Sequence, residues 1–475
     1  MASSGPTELM GAVPTASDDD EYSLHLCQTI ARWHYEDLPA DVVRTLKLLV
    51  LDALGVIGGA PNAPGIRELN QRLAKWESSG SATGLIGKHR YSPPSAALAN
   101  GTAAHALDFD DQHDPARAHT SCIMLPALLA TAEDIGKISG RDFLLAFAIG
   151  AELEARLGVA CYNSLRKGWH PTMTFGTLAA GLAVGNLLKL NAEGLRNALG
   201  MAFHQASGSA QSMRDGVLSK RLGPGFAARA AVLGAFLAAD GITGTRRPLE
   251  GNAGLFSLYE RGEVNPEALT DGLGEVWRIP EYSFKPWPGC RCNHTTIGLG
   301  IRLSEQGIKP GNVRQVEIGL GSLNWLTVGS PYDATRGSVT HAQFNAAYSF
   351  ARALTDARVD LRSYQIPALG DSAVVALAAK TRVIDDPGID PNAQTARVKV
   401  TLNDGSTVEV RSDTMKGSPE EPMNEDELLA KFHGCLEFGT RASHAQADRL
   451  AEVALRLETV GDAAAAIVNA FPATR

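Results

Sequence analysis

Four acids and three histidines crowd the end of one Ala-rich stretch: Ala103-Ala104-His105-Ala106-Leu107-Asp108-Phe109-Asp110-Asp111-Gln112-His113-Asp114, with His119 shortly after. A helix C-terminus carries a partial negative charge, so acids clustered there are mutually unfavourable. Such a cost points either to a site that uses perturbed acids or to carboxylates that bond neighbouring backbone amides. Asp110-Asp111-Gln112-His113-Asp114 also fits DDxxD, the spacing with which helical prenyl-transfer enzymes hold magnesium and diphosphate, and carboxylates with water are the ligands magnesium takes. The sequence has no second acidic box on another helical stretch, and aromatics make up only 6%, poor material for cradling a carbocation. Short motifs of this kind have high false-positive rates.

Four further segments carry reactive types. Gly168-Trp169-His170-Pro171-Thr172 offers a His before a Pro, which is structural unless it joins other groups. Arg214 to Gly225 reads as a basic, Gly-rich loop leading into a helix near Phe226. A helix N-terminus with adjacent cations binds carboxylate or phosphate; a solvated loop is the alternative, and no P-loop pattern is present. Phe284 to His294 contains Lys285, Cys290, Arg291, Cys292 and His294. Cys-x-Cys is not the usual zinc spacing and no second Cys pair exists, while six cysteines in all are a poor supply for an iron–sulfur cluster. No metal is therefore expected here, and Lys285 and Arg291 read as anion-binding or acid/base groups. Tyr348, in His341-Ala342-Gln343-Phe344-Asn345-Ala346-Ala347-Tyr348, lies on an Ala-rich helix; if buried, its hydroxyl needs a partner.

The elements that must position these groups change character once along the chain. From Tyr22 to about Gly274 the pattern is helical. Val42, Leu46, Leu49, Val50, Ala53, Leu54 and Ile57 recur at helical spacing, with Pro39 and Asp41 at the start and Gly58-Gly59 as the stop. Ser95–Leu107, Phe143–Leu157, Phe175–Leu188 and Phe226–Ala239 read as further helices, and Gly176, Gly181 and Gly185 predict tight packing in the third of these four. After about Pro280, Val313–Leu320 alternates as a strand does. Val398 to Val410 reads as a hairpin turned at Asp404-Gly405. Phe344–Leu354 and Ser372–Ala379 read as helices between these strands, and helix resumes at Glu425. The expectation is a mainly α chain with an α+β part. A large all-helical domain spans 22–280 and 418–475, and a smaller α/β lid domain over 281–417 is inserted before the C-terminal helices. Residues 1–21 read as a disordered tail: they lack the basic start and apolar run of a secretory signal, and Asp18, Asp19 and Asp20 do not suit a transit peptide.

Bulk properties narrow the partners. A chain of 475 residues exceeds one core and predicts two domains. Net charge of -8 argues against a nucleic-acid partner but not against a small anion met by local cations. Six cysteines read as reduced thiols in a cytoplasmic setting. No uninterrupted apolar run reaches the ~18 residues that would predict a membrane span.

Five of these segments in order, NGTAAHALDFDD with a His before PALLA, GWHPT, SKRLGPGFAAR, KPWPGCRCNH and QFNAAYSFA, resemble the MmgE/PrpD family across Tyr22 to Phe471. The resemblance implies a helical domain with an α/β lid, usually a homodimer, acting on a small di- or tricarboxylate without metal or organic cofactor. Its known activities are 2-methylcitrate dehydratase, cis-aconitate decarboxylase and iminodisuccinate epimerase. Matched motif by motif, it implies catalytic roles for Asp108, His119, Lys220, Lys285 and Tyr348, and substrate contacts from Gln112, where a relative has Thr, and His170. A decarboxylase of this family carries His where Cys290 stands.

In the mechanism that follows, Lys220 and Lys285, with Arg221 and Arg291, neutralise the substrate's carboxylates by charge-assisted hydrogen bonds. Cys290 lies against the substrate. The lysines and Tyr348 meet the charge that develops on a carbon next to a carboxylate. His119 is the general acid/base, since imidazole titrates near working pH, and Asp108 orients it or tunes its pKa. Dehydration of a 2-hydroxy tricarboxylate is the first expectation, epimerisation the second and decarboxylation the third. An inert scaffold is the non-enzymatic alternative.

Overall fold

A computed structural model describes residues 21–77 and 79–474. The tail expected over residues 1–21 lies, but for Glu21, outside the described residues. The chain is mainly helical with a small mixed sheet.

The helices that carry the site are α1 (Ala40–Gly59), α2 (Pro93–His105), α3 (Ser121–Ile135), α4 (Gly140–Ala160), α5 (Pro171–Leu187), α6 (Ala192–Gln205) and α7 (Ser219–Ala239). Apolar and small side chains cover nearly all of α2, α3 and α5, and these helices are buried on every side. A helix apolar all round belongs in the middle of a core. Backbones then approach closely: a Cβ on Gly101 of α2 would stand 2.9 Å from the Cα of Gly225 in α7, and one on Gly181 of α5 would stand 2.8 Å from the Cβ of Ala202 in α6.

The expected start of α7 is corrected. The helix begins at Ser219, not near Phe226, and runs through Gly223-Pro224-Gly225. Pro224 stands early in the helix, where only the bond back to the first turn is lost, and the glycines flanking it admit α2 and the Met173 side chain. The supposed basic loop is thereby partly helix, with Lys220 and Arg221 in the first turn. By length and composition α7 is also long and apolar enough to cross a bilayer. Reading uninterrupted runs missed this because Lys220, Arg221 and Arg229 break the run. It packs against α2, α5 and α6, and 56% of that apolar window is buried inside the molecule.

Buried apolar residues form two clusters. One runs from Leu26 to Phe284 and resumes from Leu428 to Phe471. The other runs from Cys290 to Val410. Between them the chain forms a two-stranded ribbon in which β1 (Gln112–His113) pairs antiparallel with β2 (Tyr282–Ser283). The second cluster joins α8 (His294–Glu305) and α9 (Ala346–Asp356) to a sheet of β3 (Val313–Leu320), β4 (Thr381–Asp385), β5 (Ala396–Leu402) and β6 (Thr407–Ser412). Strand order is β4-β3-β5-β6; β3 and β4 run parallel and the other pairs antiparallel. The expected hairpin is β5–β6, with Gly405 at φ +90 in its turn. A last helix relevant to the site, α10 (Glu425–Gly439), returns to pack on α1, and its buried Lys431 reaches both Asp52 of α1, at 2.6 Å, and the Phe109 carbonyl, at 2.7 Å.

Candidate active site

Asp108 is the hub. Helix α2 ends at His105, and three residues later Asp108 adopts a left-handed backbone, φ +53. For a non-glycine residue that conformation costs about 1 kcal/mol. It is held by partners from two distant segments. Lys220, in the first turn of α7, donates to Oδ2 at 2.5 Å, and Lys285 donates to Oδ1 at 2.8 Å and to the Asp108 carbonyl at 3.0 Å. Pairing of β1 with β2 brings Lys285 there, and the Gly289 amide donates to the same carbonyl at 2.9 Å. All three side chains are buried. Burial alone would raise the pKa of Asp108, but the two ammonium groups outweigh it and hold the carboxyl well below its usual range. Burial alone would lower Lys285; Asp108 and Asp110 reverse this and raise it. The group is a buried cation–anion–cation triad.

His119 is oriented by a different acid from the one expected. Its Nδ1 lies 2.7 Å from the Asp111 carbonyl and 3.4 Å from Asp110 Oδ2. A carbonyl only accepts, so Nδ1 carries the proton and Nε2 keeps its lone pair. Asp108 is committed to the lysines, and Asp110 takes the orienting place. Asp110 also accepts from His105 Nδ1 at 2.7 Å. Burial outweighs the attraction of Asp110 and lowers the pKa of His119 to about 3, so its ring is neutral and basic. His170, which precedes the first turn of α5, is likewise held well below its usual value by burial and by Lys220.

The acids of the apparent DDxxD motif diverge. Asp110 serves the histidines. Asp111 accepts from the Thr120 and Ser121 amides at the start of α3, at 3.1 and 3.2 Å. Asp114 holds Arg291 through two contacts of 3.2 Å and binds the Ser283 hydroxyl. The three do not share one cation position. The ligand atoms of His105, Asp110 and His119 do lie within 4.8 Å of one another; in the structure they form the hydrogen-bonded chain just described. His294 Nδ1 meets Arg291 at 3.2 Å, and Cys290 and Cys292 have no place in that contact.

One cavity gathers most of the expected residues: Asp108, Gln112, His119, His170, Lys220, Cys290 and Arg291 all line it. Lys285 stands behind Asp108. Two expected residues are elsewhere. Arg221 points to the other side of α7, where it donates to the Pro64 carbonyl at 2.9 Å and lines a separate pocket. Tyr348 lies in the second apolar cluster, with its hydroxyl donating to the Ser363 carbonyl at 2.5 Å. Helical phase on α9 turns it inward, and it does not line the cavity. Tyr348→Phe should therefore leave kcat unchanged and cost about 1 kcal/mol of stability for the lost hydrogen bond, readable by urea melts beside initial rates.

The cavity also holds Arg117, Cys292, Thr327, Met213 and Phe344, none of which the sequence reading assigned to substrate. Arg117 follows Asp114 in the loop before His119, and only the clustering of neighbours could have flagged it. It crosses to the other cluster, donating to Asn324 Oδ1 at 3.2 Å and the Asn392 carbonyl at 2.8 Å.

Two family models match the chain in succession. The MmgE/PrpD N-terminal domain model matches residues 24–267 and the MmgE/PrpD C-terminal domain model matches residues 287–458. The chain is 30% identical over 479 aligned residues to the "Cis-aconitate decarboxylase-like protein oryM" of Aspergillus oryzae, covering 95% of this chain and 97% of that one. It is 28% identical to the "Cis-aconitate decarboxylase" of Aspergillus terreus, covering 86% and 87%. It is also 28% identical to the "Cis-aconitate decarboxylase" of Homo sapiens, covering 82% of each chain.

Proposed function

The chain belongs to the MmgE/PrpD family, and from that premise we propose that it is a lyase that removes carbon dioxide from a small unsaturated tricarboxylate of the cis-aconitate class, with no metal or organic cofactor. The observation that carries this reading is the charge around the cavity: Arg117, Lys220 and Arg291 line it against the single carboxylate of Asp108, and Lys285 stands behind. Such a cationic lining suits a polyanion. The relatives move decarboxylation ahead of the dehydration ranked first from sequence.

In this mechanism the cations hold two carboxylates and leave the third beside the apolar side chains of Met213 and Phe344. The carbon–carboxylate bond breaks and carbon dioxide leaves. Its electron pair stays on the carbon chain, conjugated with the double bond and a retained carboxylate. Lys220 and Arg117 stabilise that charge, and a proton from His119 ends on carbon. His119 is neutral while the cavity is empty; a trianion beside it favours the imidazolium, which is the form that can donate.

Dehydration is the second reading, favoured by the neutral His119. A lone pair at Nε2 is ready to remove a proton from carbon without first being charged. Proton NMR of EDTA-treated protein in heavy water with cis-aconitate, 2-methylcitrate and iminodisuccinate separates the outcomes. Carbon dioxide release from cis-aconitate is expected. Water loss from 2-methylcitrate alone would replace the first reading by the second, and deuterium exchange into iminodisuccinate without net reaction would replace both by epimerisation.

We propose a cytoplasmic setting, a reading supported by its free thiols. A homodimer is supported by the outer face of α7, where Phe226 and Leu233 are 49% and 38% exposed. Light scattering should give twice the 50.2 kDa chain mass, and Phe226→Glu should halve it.

A further inference from the structure

Two cysteines of the cavity have no part in the chemistry above. Cys290 is extended, with φ -60 and ψ 133, and the chain then bends into a short 3-10 turn at Arg291–Asn293 that leads into α8. Cys290 and Cys292 both line the cavity. Their thiols are close enough for each to shift the other's titration. Across the cleft, the Arg117 guanidinium stands 4.0 Å from Cys292 Sγ. Residues two apart are at most about 7 Å apart at Cα, and the bend at Arg291 brings them toward the roughly 4.4–6.8 Å that a disulfide spans.

The surroundings also set the chemistry. The neighbouring Cys290 thiol and the charge of Arg117 outweigh burial and Asp114, and pull Cys292 below the usual thiol range, while Cys290 is raised. The other four cysteines differ. Cys27, Cys122, Cys161 and Cys435 are each at most 1% exposed, against 8% and 9% for Cys290 and Cys292, they do not line this cavity, and burial raises all four thiols. A thiolate with access to solvent or solute is the reactive form; buried thiols are inert.

We propose that Cys290 and Cys292 form an oxidisable dithiol site, which a two-electron oxidant of the peroxide class closes into a disulfide within the cavity. The Cys292 thiolate attacks one peroxide oxygen, the O–O bond breaks, and the departing hydroxide takes up a proton to leave as water. Cys292 is then a sulfenic acid. The Cys290 sulfur attacks it, the S–O bond breaks, and the hydroxyl leaves with the Cys290 proton as a second water. Two thiols are oxidised and one peroxide is reduced. The disulfide replaces the thiolate that faces Arg117 by a neutral sulfur and locks the Cys290 and Cys292 side chains together in the cavity wall. A dithiol reductant restores it.

The test uses the full-length protein and does not depend on which lyase reaction it performs. Hydrogen peroxide is added, free thiols are blocked with N-ethylmaleimide after denaturation, and peptides are mapped by mass without reduction. The expected result is loss of two hydrogens in the peptide carrying Cys290 and Cys292, reversed by dithiothreitol, with the other four cysteines alkylated. Cys290→Ser should stop at a sulfenic acid on Cys292, trapped by dimedone. Cys292→Ser should leave Cys290 unoxidised. Both cysteines alkylated after peroxide, a sulfinic acid on wild-type Cys292, or a disulfide mapped elsewhere would overturn the proposal; the wild-type map decides even where a variant does not fold. Turnover of cis-aconitate, followed in parallel, should fall as the disulfide forms and return on reduction.

Discussion

His119→Ala should lower kcat by about 10²–10⁴-fold, the usual contribution of a positioned proton-transfer group, while circular dichroism and the melting midpoint stay near the wild type. The side chain is buried at the cavity wall, its Nδ1 is committed to the Asp111 carbonyl, and Nε2 is left for the substrate. Asp110→Asn should follow it part of the way, because Asp110 aligns both His119 and His105 but touches no reacting atom. Near-normal turnover in His119→Ala would remove it from proton transfer and leave His170 as the imidazole of the cavity. The pH profile separates the two lyase readings by sign. A decarboxylase needs His119 protonated in the complex, so kcat falls as pH rises through that pKa. A dehydratase needs it neutral, so kcat falls as pH drops. Stability gives an independent check on the same ring. Its folded pKa is depressed to about 3, whereas the unfolded ring titrates near ~6.5. Between these values the unfolded chain binds a proton that the fold does not. Stability is therefore full above pH ~6.5 and declines as pH falls toward about 3. His119→Ala should lose part of that decline in acid urea melts.

Elements with a strong period were legible from sequence. The helix α1 and the hairpin β5–β6 lie where spacing and turn residues put them, because local pattern and tertiary burial ask for the same thing. The start of α7 was not legible. Gly223-Pro224-Gly225 reads locally as loop, and only contact with α2 explains why the helix continues through it. The site was half legible for the same reason. Asp108, Lys220 and Lys285 stand out as residue types, but Asp108 and Lys285 are 177 positions apart. Their meeting depends on a two-residue ribbon, β1 with β2, too short to leave a period. The exchange of Asp108 for Asp110 beside His119 follows from one left-handed residue, φ +53 at Asp108. That backbone turn points Asp108 at the lysines, a choice open to any residue of that cluster and invisible in the spacing. Tyr348 shows the converse limit: it sits in a recognisable segment, yet helical phase buries it among Tyr332 and Tyr364.

Asp108→Asn should be the most destabilising single change in the cavity, by about 3–5 kcal/mol, the usual cost of breaking a buried ion pair by removing one partner. It leaves Lys220 and Lys285, 3% and 0% exposed, facing a neutral amide. Lys285→Met removes one cation and keeps the Asp108–Lys220 pair, so it should cost less in stability. It should cost more in substrate binding, because the triad then carries no net charge and a polyanion loses one of its attractions. KM is expected to rise by 10-fold or more, on the order of 1.4 kcal/mol, with a smaller fall in kcat; a fall in kcat alone would instead give Lys285 a role confined to the transition state. The pH signs follow from the two shifts. Asp108 is depressed in the fold, so its contribution is present above the unfolded pKa of ~3.9 and is lost as pH falls. Lys285 is raised, so its contribution is complete below the unfolded value of ~10.4 and is lost as pH rises through the folded one. Wild-type stability should fall off at both ends of the range. Asp108→Asn should flatten both limbs at once, since each shift has the other group among its causes, whereas Lys285→Met should remove the alkaline limb and keep part of the acid one through Lys220. Urea melts from pH 3 to pH 11 on the three proteins would read this asymmetry directly, and equal flattening by both substitutions would mean that the Asp108–Lys220 pair alone does not sustain the acid limb.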